Sequence, residues 1–201
     1  MIFDFTPDPK VLLALTRTPM QPIDALCELI DNAIYSFSIA KIQGVNIESP
    51  LIVIDLPTRK QLTNGGGVLR IRDNGPGMTA ENAEKAIKAG FSGNNPYDTL
   101  GLFGMGFNIS TGKLGNTTTF MTARKDHAAY IKTTIDLTKI NESKSYSLPA
   151  EEVPKGDSIF ATEGHGTIIE VSNWWPVGDA NSGFVDKLIR YGVPKVRSEI
   201  G

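Results

Sequence analysis

From Pro22 to about Lys41 the apolar residues recur at steps of three and four, the period of a helix, with Pro22 at its opening and Gly44 as its stop. On a wheel of about 100° per residue, Ile23, Leu26, Cys27, Ile30, Ala33, Ile34 and Phe37 share one broad face. Glu28, Asp31, Asn32 and Tyr35 gather on the opposite one. Two apolar runs of strand length, Leu51 to Leu56 and Val68 to Arg72, flank the turn Asn64-Gly65-Gly66-Gly67, and the second run ends at Asp73. Ala80 to Ala89 reads as a short helix, Gly90 to Gly106 as a loop rich in Gly and Asn, and Phe107 to about Gly115 as a further helix. Thr117 to Arg124 and Tyr130 to Leu137 read as paired strands, Thr167 to Val171 as another strand, and Phe184 to Tyr191 as a closing helix. Residues 1–20 form an arm whose apolar piece, Val11 to Leu15, is closed by Thr18-Pro19, and residues 141–163 are polar without an assignable period. Helices and strands mix without regular βαβ alternation, which favours an α+β sandwich over a doubly wound sheet.

Composition narrows the chemistry. The 201 residues fit one large domain, and the reading is a single domain over residues 1–201. One cysteine, Cys27, rules out an intramolecular disulfide and a four-thiolate zinc site, and two histidines make a histidine-rich metal centre unexpected. Twenty basic against 22 acidic residues leave a net charge of −2, so no global field points to nucleic acid or membrane. The first residues lack the basic and apolar regions of a secretory signal, and no stretch approaches a membrane span. The expected setting is the reducing cytoplasm, without a membrane partner.

Four short segments carry candidate chemistry. Glu28, Asp31 and Asn32 sit at i, i+3 and i+4, so two carboxylates and a carboxamide converge. Such a group can hold a hydrated divalent cation through oxygen and keep one carboxylate as a base, although a solvated polar face is the ordinary reading of a lone helix. Gly101-Leu102-Phe103-Gly104-Met105-Gly106 opens a helix in the order G-x-x-G-x-G, the reverse of the dinucleotide fingerprint, and the spacing from Gly106 to Lys113 fails the P-loop pattern. What remains is a stretch that brings backbone N–H groups to a helix start, suited to phosphate. Asp73-Asn74-Gly75-Pro76-Gly77-Met78 is either a tight turn or an acceptor held at a strand end beside glycines that admit a flat ring. Gly164-His165-Gly166-Thr167 starts a strand; the Thr167 hydroxyl can join the same polar cluster, and His165 reads as a loop residue. Trp174-Trp175-Pro176 reads as core aromatics, with an exposed partner patch as the alternative.

In this order the four pieces resemble the GHKL superfamily of ATPases, which includes DNA gyrase B, the ninety-kilodalton heat-shock chaperones, sensor histidine kinases and MutL. Glu28-Leu29-Ile30-Asp31-Asn32-Ala33 is similar to the N-box, Asp73-x-Gly75-x-Gly77-Met78 to the first glycine box, Gly101 to Gly106 to the second, and Gly166-Thr167 to the last, so the resemblance covers residues 23–171. It implies a Bergerat fold, a two-layer sandwich of a mixed sheet with helices on one face, binding ATP or ADP with Mg²⁺. Carried over by position, Glu28 activates water, Asn32 ligates Mg²⁺ and Asp31 supports the site. Asp73 accepts from the adenine amino group with Thr167 assisting, while Gly75, Gly77 and Met78 shape the base pocket. Gly101, Leu102, Phe103, Gly104, Met105, Gly106 and the Phe107 backbone wrap the phosphates, and residues 79–100 form a lid.

Glu28 stands where sensor kinases usually carry Asn, and both histidines lie downstream of it, so hydrolysis ranks above phosphotransfer or a binding module without turnover. Ala89-Gly90-Phe91-Ser92-Gly93 and Ser110-Thr111-Gly112-Lys113-Leu114-Gly115 are most similar to the microrchidia branch, whose usual lysine after the glycine box is Asn108 here. Tyr35 and Ser36 replace acidic residues common in gyrase-like members. Gyrase, MutL and microrchidia types draw a catalytic lysine from a following domain. The resemblance therefore implies an N-terminal piece of a longer protein, or a protein that needs a partner to supply that lysine, with weak turnover alone, self-association on ATP binding through residues 1–20, and a DNA or protein client.

Overall fold

In this computed structural model the chain is described at residue 8 and over residues 10–88, 105–160 and 164–190. Six strands form one sheet: β1 (Ile52–Asp55), β2 (Leu69–Asp73), β3 (Thr117–Ala123), β4 (Ala129–Asp136), β5 (Ala150–Pro154) and β6 (Gly166–Ser172), in the order β1-β2-β6-β3-β4-β5. Among the described residues every pairing is antiparallel, so the α+β sandwich is as expected while the sheet over these residues is antiparallel and not the mixed one implied by the resemblance. The chain reaches β6 only after building β3, β4 and β5, and β6 then slots between β2 and β3. That late insertion closes the sheet and brings the ends of β2, β6 and β3 side by side.

Alternation decides which face is covered. Leu69 and Ile71 of β2, Phe120 of β3, and Ile169 and Val171 of β6 are buried on one face with Ala25, Leu26, Leu29 and Ile30 of the long helix α2 (Pro22–Ile42). The helix layer also holds α4 (Ala80–Ile87), α5 (Gly106–Leu114) and α7 (Phe184–Arg190), which contribute Ala83, Leu114, Val185 and Leu188 to that core. The other face carries charged rows such as Arg70 against Glu170 at 2.6 Å, and a small cluster of Ala123, Phe160 and Ile168.

The buried stripe of α2 differs from the one read off the wheel. Ala25, Leu26, Leu29, Ile30 and Ala33 are buried, whereas Ile34 is 50% exposed. The helix packs on β2, α5 and α7 together, and these neighbours reach around to Leu29 and Ala25, away from Ile34. Glu28, Asp31, Asn32 and Tyr35 are exposed, as the pattern requires.

Three elements escaped the sequence reading. Helix α3 (Arg59–Thr63) starts at Thr58, whose hydroxyl accepts from the Gln61 N–H at 3.3 Å, a capping box written as Thr-x-x-Gln. Helix α6 (Leu137–Ser143) starts where the Asp136 carboxylate accepts from the Lys139 N–H at 3.0 Å. Strand β5 is a short edge strand with two adjacent glutamates, so it shows no alternation. In the arm, α1 (Lys10–Leu15) packs Leu12 and Leu13 on Ile135, Leu137 and Ile140. Trp174 and Trp175 are half-buried and not core residues: their indole N–H groups donate to the carbonyls of Gly66 and Gly112, both at 2.7 Å, and both rings pack against the rims of apolar clusters. Among the described residues no helix is long and apolar enough to cross a membrane.

Candidate functional site

Register places three polar side chains in one row at the end of the sheet, on its helix-facing side. Asp73 of β2 pairs with Thr167 of β6, which pairs with Thr122 of β3. All three are buried, at 9%, 7% and 0% exposure. A buried polar row at a strand end is costly unless bonded, and this one is. The Thr122 hydroxyl accepts from the Met78 N–H at 3.0 Å, donates to the Gly166 carbonyl at 3.1 Å and lies 3.3 Å from the Thr167 hydroxyl. The Asp73 carboxylate accepts from the Gly75 N–H at 2.8 Å.

The glycines around this row are required by close approach. Gly77 has φ +69° and rests directly on the Ala123 carbonyl, with no room for a Cβ. Gly166, at φ +133°, rests in the same way on the Asp73 carbonyl. A Cβ on Gly75 would meet Asp73 Oδ1 at 2.6 Å and Ser36 Oγ at 2.8 Å, so this turn lies directly beneath α2. His165 Nδ1 stands 2.6 Å from the Gly75 carbonyl.

A second cluster of the candidate residues lies two turns back along α2. Gly106 begins α5, and a Cβ there would strike Glu28 Oε2, so the Glu28 carboxylate lies over the N-terminus of that helix. Phe107 anchors the first turn by packing edge-on against Phe120, ring centroids 6.1 Å apart. The leading N–H groups of α5 have no partner within the helix, which makes its start an anion-friendly surface. Glu28 is exposed as a residue, but partial desolvation of its carboxyl holds it above the ordinary carboxylate value, and the negative charges of Asp31 and Asp24 add to the shift. Asn108, where microrchidia-type chains usually have lysine, donates from Nδ2 to the Ile87 carbonyl at 3.0 Å and so ties the end of α4 to α5.

The residues singled out from the sequence fall into three groups. Asp73, Gly75, Gly77, Met78 and Thr167 meet at the end of the sheet, while Glu28, Met105, Gly106 and Phe107 meet at the start of α5. Asp31 and Asn32 sit on the exposed surface of α2 between them. Gly101, Leu102, Phe103 and Gly104 lie outside the described residues, as does most of the expected lid, of which Thr79 and α4 are described. Sequence reasoning missed Thr122, one of many β3 threonines, and the contacts of Ser36 and His165. Only the adjacency of His165 to Gly166-Thr167 could have marked it. A cavity of about 220 Å³ opens on the far side of Met78, between Thr122, Arg124 and Ile131, and reaches neither Glu28 nor Asp73. Among the described residues no cluster of three His, Cys, Asp or Glu could hold a metal unaided.

Protein MICRORCHIDIA 4 of Arabidopsis thaliana is 29% identical to this chain over 108 residues, 53% of this chain. The match covers 12% of that relative's length, so the chain spans a small part of it. A model of the histidine kinase-, DNA gyrase B- and HSP90-like ATPases matches residues 20–167, from the start of α2 to the threonine of the polar row. That range contains both clusters, and ATP binding is the general property of this group. The chain belongs to the family of histidine kinase-, DNA gyrase B- and HSP90-like ATPases.

Proposed function

We propose that the chain binds Mg-ATP between these two clusters, with its base at the Asp73 end and its phosphates at the Glu28 end, and hydrolyses it slowly. One observation carries this reading: a single helix bears both ends. Glu28 lies over the start of α5, and Ser36, eight residues on, lies against the Asp73-Gly75 turn. Eight residues of helix are about 12 Å, a span on the scale of an extended nucleotide. The Asp73 carboxylate, acceptor-only when ionised, suits an amino group and repels a carbonyl, so adenine is preferred to guanine.

The donor set fits a nucleotide-borne metal. Magnesium keeps most of its ligands as water and phosphate oxygen and needs one or two protein oxygens, and Asn32, one turn from Glu28, offers one. Bound there it neutralises phosphate charge. Glu28 is the general base: it takes a proton from the water that attacks the γ-phosphorus as the bond to the β-bridging oxygen breaks, leaving ADP and phosphate. Its raised pKa makes it a better proton acceptor than an ordinary carboxylate. Asp31 acts on Glu28 through its charge. The N-terminal arm, with α1 packed on α5, joins a self-association contact when nucleotide binds, and a following domain or partner supplies a catalytic lysine. The cycle then serves a DNA or protein client within a longer protein.

Calorimetric titration with ADP and with GDP, each with Mg²⁺, tests the reading, repeated with Asp73→Asn. The expected result is binding of ADP alone, lost in the variant. Binding of neither, or equal binding of both, refutes the base pocket. Brisk hydrolysis by this chain alone refutes the missing lysine, and an unchanged solution mass with a non-hydrolysable ATP analogue refutes nucleotide-driven self-association.

A further inference from the structure

Asp73 ends a strand, but the residues that follow it, Asn74 to Met78, belong to no helix or strand. Their shape nevertheless sets where the Asp73 carboxylate is held. Gly75 is the hinge of this arrangement, since its N–H lies in the peptide with Asn74 and its carbonyl in the peptide with Pro76, on either side of one Cα. Its N–H donates to Asp73 Oδ1 at 2.8 Å, and its carbonyl meets His165 Nδ1 at 2.6 Å. A carbonyl only accepts, so Nδ1 carries the ring proton. His165 is itself held from behind, because the Lys155 ammonium donates to the neighbouring Gly164 carbonyl at 2.6 Å and to the Arg124 carbonyl at 2.8 Å. On its other side Gly166 rests on the Asp73 carbonyl. The loop before β6 thus grips the turn after β2 from a residue 90 positions away in sequence.

We propose that His165 is a positioning residue for base recognition: by donating from Nδ1 to the Gly75 carbonyl, it fixes Gly75, the residue whose N–H holds the Asp73 carboxylate toward the adenine amino group. This rests on the adenine reading of the Asp73 end. His165 touches no nucleotide atom and acts through Gly75. The requirement is for a donor at the Nδ1 position and not for an imidazole as such. Asparagine places its Nδ2 donor at about that position, whereas glutamine places its donor one bond further out, where Nε2 lies.

The test is calorimetric titration of the whole chain with Mg-ADP for wild type and for His165→Ala, His165→Asn and His165→Gln, with the thermal midpoint of each measured without nucleotide. His165→Ala is expected to weaken ADP binding about tenfold, the factor that goes with one ordinary hydrogen bond. His165→Asn should bind within about threefold of wild type, and His165→Gln should resemble the alanine variant. This order should persist when the Asn and Gln variants melt at the same temperature, which a merely structural role does not produce. Wild-type affinity in all three variants, or equal weakening by Asn and Gln, overturns the proposal while leaving the adenine pocket standing. If wild type binds no ADP, the pocket reading falls and this inference with it. Should the alanine variant fail to fold, the comparison of Asn with Gln still decides.

Discussion

Replacing Thr122 with valine removes a hydroxyl from the polar row while keeping the shape of the side chain. Thr122 is fully buried, and its one oxygen serves three neighbours: it accepts from the Met78 N–H at 3.0 Å, donates to the Gly166 carbonyl at 3.1 Å and touches the Thr167 hydroxyl at 3.3 Å. Each buried polar group left unpaired costs about 1–3 kcal/mol. Water reaches the half-buried Met78 more easily than the buried Gly166 and Thr167, which reduces one of the three penalties. The sum is about 2–4 kcal/mol, equivalent to a fall of roughly 5–15 °C in Tm for a domain of this size. Thr122→Ser supplies the contrast, because it keeps all three polar contacts and loses one methyl group, about 1 kcal/mol with the small void. Urea and thermal unfolding of the three proteins give the comparison, and ADP titration adds a second readout because Met78 closes the turn of the proposed base pocket. The valine variant should be the less stable of the two and bind ADP more weakly. A serine variant less stable than the valine variant would refute the reasoning, since burial of apolar surface would then outweigh the hydrogen bonds.

Gly77→Ala places a Cβ against the Ala123 carbonyl at a residue with φ +69°, and about 2–4 kcal/mol of stability should be lost in urea melts. Glu28→Gln should cut γ-phosphate release by roughly 10²–10⁴-fold while ADP titration shows undiminished binding, and parallel loss of both would remove Glu28 from the role of base. Because the folded-state pKa of Glu28 lies above the ordinary 4.5, the folded protein holds that proton more tightly than the unfolded chain. Wild-type stability relative to Glu28→Gln should therefore fall as pH rises from about 4.5 through the raised pKa and stay level above it, and the opposite slope in paired melts would contradict the burial argument. Lys113, buried with its ammonium 3.4 Å from Asn181 Oδ1 and 5.2 Å from the Phe184 ring centroid, has its pKa lowered by burial. Its stability penalty relative to Lys113→Met is present in full below the folded pKa and should fade as pH rises through that value toward 10.5, which melts at neutral and alkaline pH will show.

Local chemistry carried much of this protein's layout. The helix Pro22–Ile42 was legible from its period, its proline and its glycine stop, because a helix is set by neighbours three and four residues apart. Strands β2, β3, β4 and β6 fell within one residue of their expected ends, since each runs between turn residues or pairs with an alternating partner. The four motifs and their order were likewise local, and the family match over residues 20–167 agrees with them.

The rest depended on contacts distant in sequence. The buried side of α2 is centred on Leu26 and Leu29 because β2, α5 and α7 close around it, and no wheel contains those neighbours. The sheet is antiparallel throughout because β6 returns between β2 and β3, a choice of topology that strand periodicity does not encode. Thr122 looks like its neighbouring threonines until the register sets it beside Thr167 and below Met78. His165 looks like a loop residue until the fold brings Gly75 to its ring. Sequence alone thus determined which groups are available, since side-chain chemistry and local geometry travel with the residue. Tertiary structure decided which of them meet, because a buried polar atom must find its partner across the chain or forfeit its place in the core.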